Sequence, residues 1–124
     1  MRILSPVFLD AFPGRVVNIH PSLLPSFPGV NAQQQAFDAG VRVAGATVHF
    51  VDAGMDSGAI IAQGAVPVLE TDDADALQQR ILAVEHQVFP MVMRWAAEER
   101  LSINAGKAQV RLLPGESRQL WVGA

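Results

Sequence analysis

The chain has 124 residues, half of them hydrophobic and 17% charged, with a net charge of -3 and no cysteine. That suits a single folded domain rather than a disordered chain, one able to bury roughly two thirds of its unfolded surface. It excludes a disulfide framework and Cys-based metal or nucleophile chemistry, and the nine scattered Lys and Arg argue against a nucleic-acid footprint.

In chain order, the opening Met1-Arg2-Ile3-Leu4 is apolar almost from the first residue, as expected of a chain that begins inside a fold. Neither a secretory signal pattern nor an apolar run of ~18 residues is seen, so no membrane partner is expected and a cytoplasmic setting fits. Ser5-Pro6 reads as an N-cap and first helical residue for a short helix burying Val7, Phe8, Leu9 and Phe12, stopped by Pro13-Gly14. Arg15 to His20 reads as a strand, followed by a loop over residues 21–30 stiffened by three prolines and closed by Gly29. Asn31 is expected to cap a helix over Ala32 to Ala39, with Gly40 as its left-handed stop and Gln33, Gln34 and Gln35 on a solvated face.

Ala46 to Val51 is rich in β-branched and aromatic residues and reads as a strand. Thr47, His49 and Val51 share one face of it, and Val48 and Phe50 the other. A turn-rich loop, Asp52 to Gly58, leads into strand residues 59–63 and 65–68, with Gly64 expected to mark a bulge and Pro67 an edge or strand end. Thr71-Asp72-Asp73 opens a long helix. Leu77, Ile81, Val84, Val88, Met91, Val92 and Trp95 recur at steps of three and four, and Pro90 is expected to kink or split it. Residues 101–103 and 109–112 are expected to form a hairpin around Asn104 to Lys107, and the tail after Pro114 carries no chemical signal.

The chemistry-bearing candidates are few. Asn18 and His20 lie two apart on a strand, so they project side by side at its end, where open α/β sheets place ligands. They are either polar punctuation or a pair that shares work on one substrate. Asp56 is either a solvated turn former or the carboxylate that holds an imidazole in its charged form. His49 and the Glu85-His86 pair are equally open between structural and functional roles. No His-x-x-x-His or Cys pattern supports a metal site, no Gly-x-Ser-x-Gly elbow a serine nucleophile, and no glycine-rich phosphate loop is present. What remains is non-covalent transfer: Asn18 donating to a developing oxyanion, His20 sharing that work or moving the proton, and Asp56 charging the ring. That set suits attack of an amine on an activated acyl carbon.

Asn18-Ile19-His20-Pro21-Ser22-Leu23-Leu24-Pro25, continuing to Phe27-Pro28-Gly29, resembles the signature of the formyltransferases that use 10-formyltetrahydrofolate, and in particular the phosphoribosylglycinamide formyltransferase family. Met1 to Pro6, Gly45 to Val51, Met55 to Ile61 and Glu85 to Pro90 extend the likeness in the same order over nearly the whole chain. The resemblance implies formyl transfer from 10-formyltetrahydrofolate, as cosubstrate, to the amine of glycinamide ribonucleotide in purine synthesis, with no metal. It implies Asn18, His20 and Asp56 as the catalytic residues and His49 as their support. It implies Met1, Arg2, Ile3, Leu4, Val51, Asp52, Ala53, Gly54 and Met55 as walls of the folate pocket, and Gly29 and Glu85 as contacts to the ribonucleotide.

The fold implied is α/β: a formyltransferase-like, Rossmann-type mixed sheet with flanking helices. Residues 1–124 are expected to form its C-terminal catalytic and folate-binding half, without the N-terminal βαβ region that supplies the family's phosphate-holding loop. A chain of that kind is expected to expose a sheet edge, and either to be marginally stable or to self-associate through that edge. Val30-Asn31-Ala32 also departs from the family pattern, which often carries a histidine there. Three alternatives stay open. One is a formyltetrahydrofolate deformylase, whose members tend to have a second histidine where Pro21 stands. Another is a methionyl-tRNA formyltransferase, which prefers Arg-Gly near Phe27-Pro28-Gly29 and needs a basic surface. The last is a non-catalytic folate-binding fragment.

Overall fold

The computed structural model describes residues 17–51 and 58–123. Their elements run β1 (Val17–His20), α1 (Ala32–Ala39), β2 (Val43–Phe50), β3 (Ile60–Pro67), α2 (Ala74–Ala97), β4 (Leu101–Asn104), β5 (Lys107–Val110) and β6 (Gln119–Trp121). The expected helix between Ser5 and Pro13, with Met1 to Leu4 before it, lies outside the described residues, as do Arg15 and Val16.

Among the described residues the sheet has the order β1-β2-β3-β6. β1 and β2 pair antiparallel, as do β2 and β3, while β6 joins β3 in parallel. This is the mixed sheet with flanking helices that the α/β reading anticipates, and among the described strands β1 is its edge. One face is apolar: Ala46, Val48, Phe50, Ala62 and Val66 are all buried. Against it lies α2, whose sheet-facing stripe of Leu77, Ile81, Val84, Val88, Val92 and Trp95 is solvent-free. That stripe follows the helical repeat read from the sequence, and its burial is what makes the helix stable. Asp73 starts α2 by accepting a hydrogen bond from the Ala76 amide at 2.7 Å.

Three local expectations are corrected, and for Pro90 one of two alternatives is removed. Gly64 marks no bulge: it pairs in register with Ala46, and the irregularity falls between Val48 and His49, where β3 carries the extra residue Ile61. Glycine is needed at 64 because α2 comes so close. A Cβ there would lie 2.4 Å from Val84 Cγ1 and 2.8 Å from Val88 Cγ2. Pro90 does not split the long helix, which runs unbroken over 74–97. The proline is exposed, so the carbonyl one turn back that loses its amide partner belongs to exposed His86 and faces water. Asn31 stands at the N-terminus of α1 but makes no side-chain cap; it sits in the left-handed region at φ 56°. Finally, β2 begins at Val43 rather than Ala46, because pairing with Ala65, Val66 and Pro67 carries the strand through Ala44 and Gly45, which strand propensity does not mark.

Gly40 does end α1 in the left-handed conformation. The hairpin is present, with Ala105-Gly106 as its turn. The tail carries structure that its composition does not announce. Arg118 donates to the carbonyls of Ile61 and Ala108, at 2.7 and 3.1 Å, and β6 follows beside β3. Below the sheet end, Arg100 is buried and ion-paired to Glu98 and Glu116. Glu116 also accepts from the Leu113 amide at 2.7 Å and from Trp95 Nε1 at 3.2 Å. These bonds, the Leu113 amide foremost and then Arg100, hold the Glu116 carboxyl down at about 2.

Two outcomes are expected. Gly64→Ala should cost roughly 1–3 kcal/mol in urea unfolding, since either the α2 valines or the backbone must move. The depressed Glu116 carboxyl favours the folded state wherever it is ionised in both states, and that contribution is lost as pH falls from its unfolded range near 4.5 through about 2. Urea midpoints measured across that window should fall more steeply for the parent chain than for Glu116→Gln.

Candidate active site

The sheet face opposite α2 carries the polar residues. Cross-strand partners share a face. Asn18 is opposite His49, and His20 is opposite Thr47, which in turn is opposite Gln63. Asn18, His20 and His49, three of the residues picked out in the sequence, are therefore neighbours on one surface. His20 is 1% exposed and His49 2% exposed, while Asn18 keeps partial access to solvent.

Each imidazole is oriented by a main-chain carbonyl. His20 Nε2 is 2.9 Å from Phe27 O, and His49 Nδ1 is 2.9 Å from Phe50 O. A carbonyl only accepts, so the proton sits on Nε2 of neutral His20 and on Nδ1 of neutral His49. The Nε2 of His49 is then an acceptor; it is buried and has no hydrogen-bond partner among the described residues. A buried polar atom of this kind is costly unless a ligand or water meets it.

The loop after β1 is wound tightly over this face. Ser22 Oγ donates to Ser26 O at 2.6 Å, and Ser26 N donates to Leu23 O at 3.0 Å. The Leu24–Pro25 peptide is cis. Phe27, Gly29 and Asn31 all have positive φ, at 52°, 89° and 56°. Only the glycine adopts that region freely, so the loop is held in a shape that its own residues do not favour. Gln35, expected on a solvated face, reaches back to Val30 O at 2.8 Å and helps hold the loop. Beneath it is a cavity of about 90 Å³ bordered by Ser22, Leu23, Phe27, Ala36 and Gly45. That is well below the ~300 Å³ of a typical small-molecule site, so the cavity is not itself the ligand pocket.

Glu85 lies on α2, half-buried. Burial pushes its carboxyl above the ordinary carboxylate range, while the charges of His86 and His20 pull it down. Glu85 is carried by the helix packed on the other face of the sheet, and it feels His20 through the charge of that ring when protonated. Gly29 falls in the strained loop just described. Val51 follows β2, and Gly58 lies against the Phe50–Val51 backbone, where a Cβ would be 1.6 Å from Phe50 O. Phe50 N donates to Ala59 O at 2.9 Å, so the two ends of segment 52–57 are adjacent. Asp52, Ala53, Gly54, Met55 and Asp56, like Met1, Arg2, Ile3 and Leu4, lie outside the described residues.

Thr47 and Gln63 were not among the sequence-derived site residues. Thr47 Oγ1 donates to Ser22 O at 2.7 Å and accepts from Leu24 N at 3.1 Å and Gln63 Nε2 at 2.9 Å. The only signal for them was a polar residue alternating with apolar ones in each strand, on the same face as His49. Among the described residues no group of His, Asp and Glu could hold a metal ion.

Residues 1–93 match the family model described as formyl transferase. Over 94 residues the chain is 52% identical to a phosphoribosylglycinamide formyltransferase of Bacillus subtilis, covering 76% of this chain and 48% of that protein. Over 93 residues it is 56% identical to the trifunctional purine biosynthetic protein adenosine-3 of Drosophila melanogaster, covering 75% of this chain and 7% of that protein. The crystal structure of a phosphoribosylglycinamide formyltransferase from Anaplasma phagocytophilum superposes with a TM-score of 0.93 at 42% identity, over all of this chain and 59% of that one. The chain thus spans about half the length of the Bacillus relative. With the family model covering three quarters of its length, and the fold matching throughout, the chain belongs to the formyl transferase family.

Proposed function

We propose that this protein takes part in formyl transfer from 10-formyltetrahydrofolate to the amine of glycinamide ribonucleotide, a step of purine biosynthesis, in the cytoplasm. The observation that carries the reading is the shared face of Asn18, His20 and His49 beside the strained loop, in a chain of the formyl transferase family. The names of its relatives support the acceptor and the pathway.

The chemistry follows from those groups. The acceptor amine attacks the formyl carbon, and the carbonyl oxygen becomes an oxyanion. Asn18 donates its carboxamide N–H to that oxygen; such a donor contributes roughly 3 kcal/mol in the transition state. Collapse of the tetrahedral intermediate breaks the bond to N10 of the folate and forms the new amide. One proton leaves the attacking nitrogen and one arrives at N10. His20, with Nε2 already committed to Phe27 O, moves that proton at Nδ1. Asp56 stabilises the imidazolium form. His49 supports the site, its bare Nε2 accepting from a substrate group or water. Val51, with residues 1–4 and 52–55, lines the folate pocket. Gly29 and Glu85 hold the ribonucleotide, Glu85 by accepting from its ribose hydroxyls. No metal takes part.

Mixing the protein with both substrates and following formylated glycinamide ribonucleotide by mass spectrometry tests this reading. Asn18→Ala and Asp56→Asn should each lower kcat at least ~100-fold. Formate released at the same rate with and without acceptor would instead establish a deformylase. Folate-analogue binding with no turnover would leave a binding module. A second expectation concerns Glu85. Because burial raises its pKa, it loses its charge as pH falls through a midpoint above the usual carboxylate range, and an uncharged carboxyl is the poorer acceptor. KM for the ribonucleotide should therefore rise on acidification through that midpoint, and Glu85→Gln should flatten the profile.

A further inference from the structure

The proton on His20 Nε2 goes to one carbonyl, and that carbonyl belongs to the strained loop. Phe27 O accepts from His20 Nε2 at 2.9 Å and stands 3.3 Å from Ser22 Oγ, whose proton goes to Ser26 O. Nothing in Phe27 itself secures the position: its φ of 52° is one a non-glycine residue rarely adopts.

What secures it lies two strands away. Gln63, on β3, spends both hydrogens of its carboxamide nitrogen on this loop and its anchor: one on Leu24 O at 3.0 Å, the other on Thr47 Oγ1 at 2.9 Å. Thr47 then donates to Ser22 O and accepts from Leu24 N. A hydroxyl has one proton and two lone pairs, so Thr47 is saturated. The carbonyls of Ser22 and Leu24 and the Leu24 amide are thereby tied to the middle of the sheet. Ser22 carries the tie onward, since its one hydroxyl proton goes to Ser26 O at 2.6 Å, the carbonyl next before that of Phe27 in the chain. Ser22, Leu24 and Thr47 are all buried, which leaves water little chance to replace these bonds.

We infer that Gln63 is a positioning residue for His20: through Thr47 and loop residues 22–27 it holds the Phe27 carbonyl where it takes the Nε2 proton, so that the ring works from Nδ1. Its catalytic consequence rests on the formyl-transfer reading, but the tautomer itself does not. The Gln63 side chain makes no bond to His20, and its effect is carried by hydrogen-bonded backbone.

The test is the ring-nitrogen spectrum of His20 in the full chain, labelled with 15N-histidine and observed where the ring is neutral. The parent should show His20 protonated at Nε2. Gln63→Ala and Thr47→Val should each shift the tautomer ratio roughly fivefold, the equivalent of one net hydrogen bond. Thr47→Ser, which keeps the hydroxyl, should restore the parent spectrum. Val92→Ala, a core truncation on the other side of the sheet, should lower stability and leave His20 unchanged. Gln63→Met, of similar length but unable to donate, replaces Gln63→Ala should that variant fail to fold. In turnover, Gln63→Ala should lower kcat roughly 10- to 100-fold with little change in KM. Parent-like His20 spectra in the folded Gln63 variants, or a parent ring protonated at Nδ1, would overturn the inference. A chain that shows the tautomer shift but no formyl transfer would uphold the positioning role and defeat the reading of the reaction.

Discussion

The hydroxyl of Thr47 makes three hydrogen bonds inside the protein, and the polar face of the sheet depends on them. A loop that leaves the end of a strand has no sheet partner for its own amides and carbonyls. Buried without partners, each such group costs about 1–3 kcal/mol. Thr47 and Gln63 take up three of these groups at Ser22 and Leu24, which lets the loop fold down on the sheet rather than stand in solvent. Valine at position 47 would fill the same space and keep strand propensity, yet would remove the hydroxyl that all three bonds share.

The two faces of the sheet divide the labour. On one, small and branched residues meet α2 closely enough that position 64 must be glycine. Close packing there is stiff, because displacing a strand means displacing the valine stripe of the helix. On the other face, Asn18, His20 and His49 have their backbones fixed by that same packing. Catalytic side chains gain most when held by elements that cannot shift, since orientation achieved before binding need not be supplied by the substrate. On the proposed formyl-transfer reading, the register between β1 and β2 is functional as well as structural. A slip of one residue would carry Asn18 and His20 to the apolar side.

The buried Arg100 does for the C-terminal segment what Thr47 does for the loop. It joins Glu98 at the end of α2, the Arg111 carbonyl after the hairpin, and Glu116 in the tail. Breaking one partner of such a cluster strands a buried charge, so the tail is coupled to the helix by a penalty as much as by attraction. β6, with its exposed Trp121, is held beside β3 by this and by Arg118.

The residues alone determined a good deal of this. The six-residue stripe of α2, the alternation in β2, the stop at Gly40 and the hairpin turn are local patterns, and each was readable because a helix or strand imposes its period on any chain that forms it. The Asn18-x-His20 pair was readable too, and so was the resemblance that gives it meaning. What only the tertiary structure decided involves partners distant in sequence. Gly64 looked like a bulge because nothing in its own strand reveals that α2 passes within a methyl group's reach. Pro90 looked like a break because its neighbours do not show that the ring faces water. Gln63 and Thr47, sixteen residues apart, become a single device only when two strands align them under a loop from a third. A local pattern carries information about period and conformation. It carries none about which side chain will arrive opposite, and in this protein those arrivals decide how the imidazole of His20 is held.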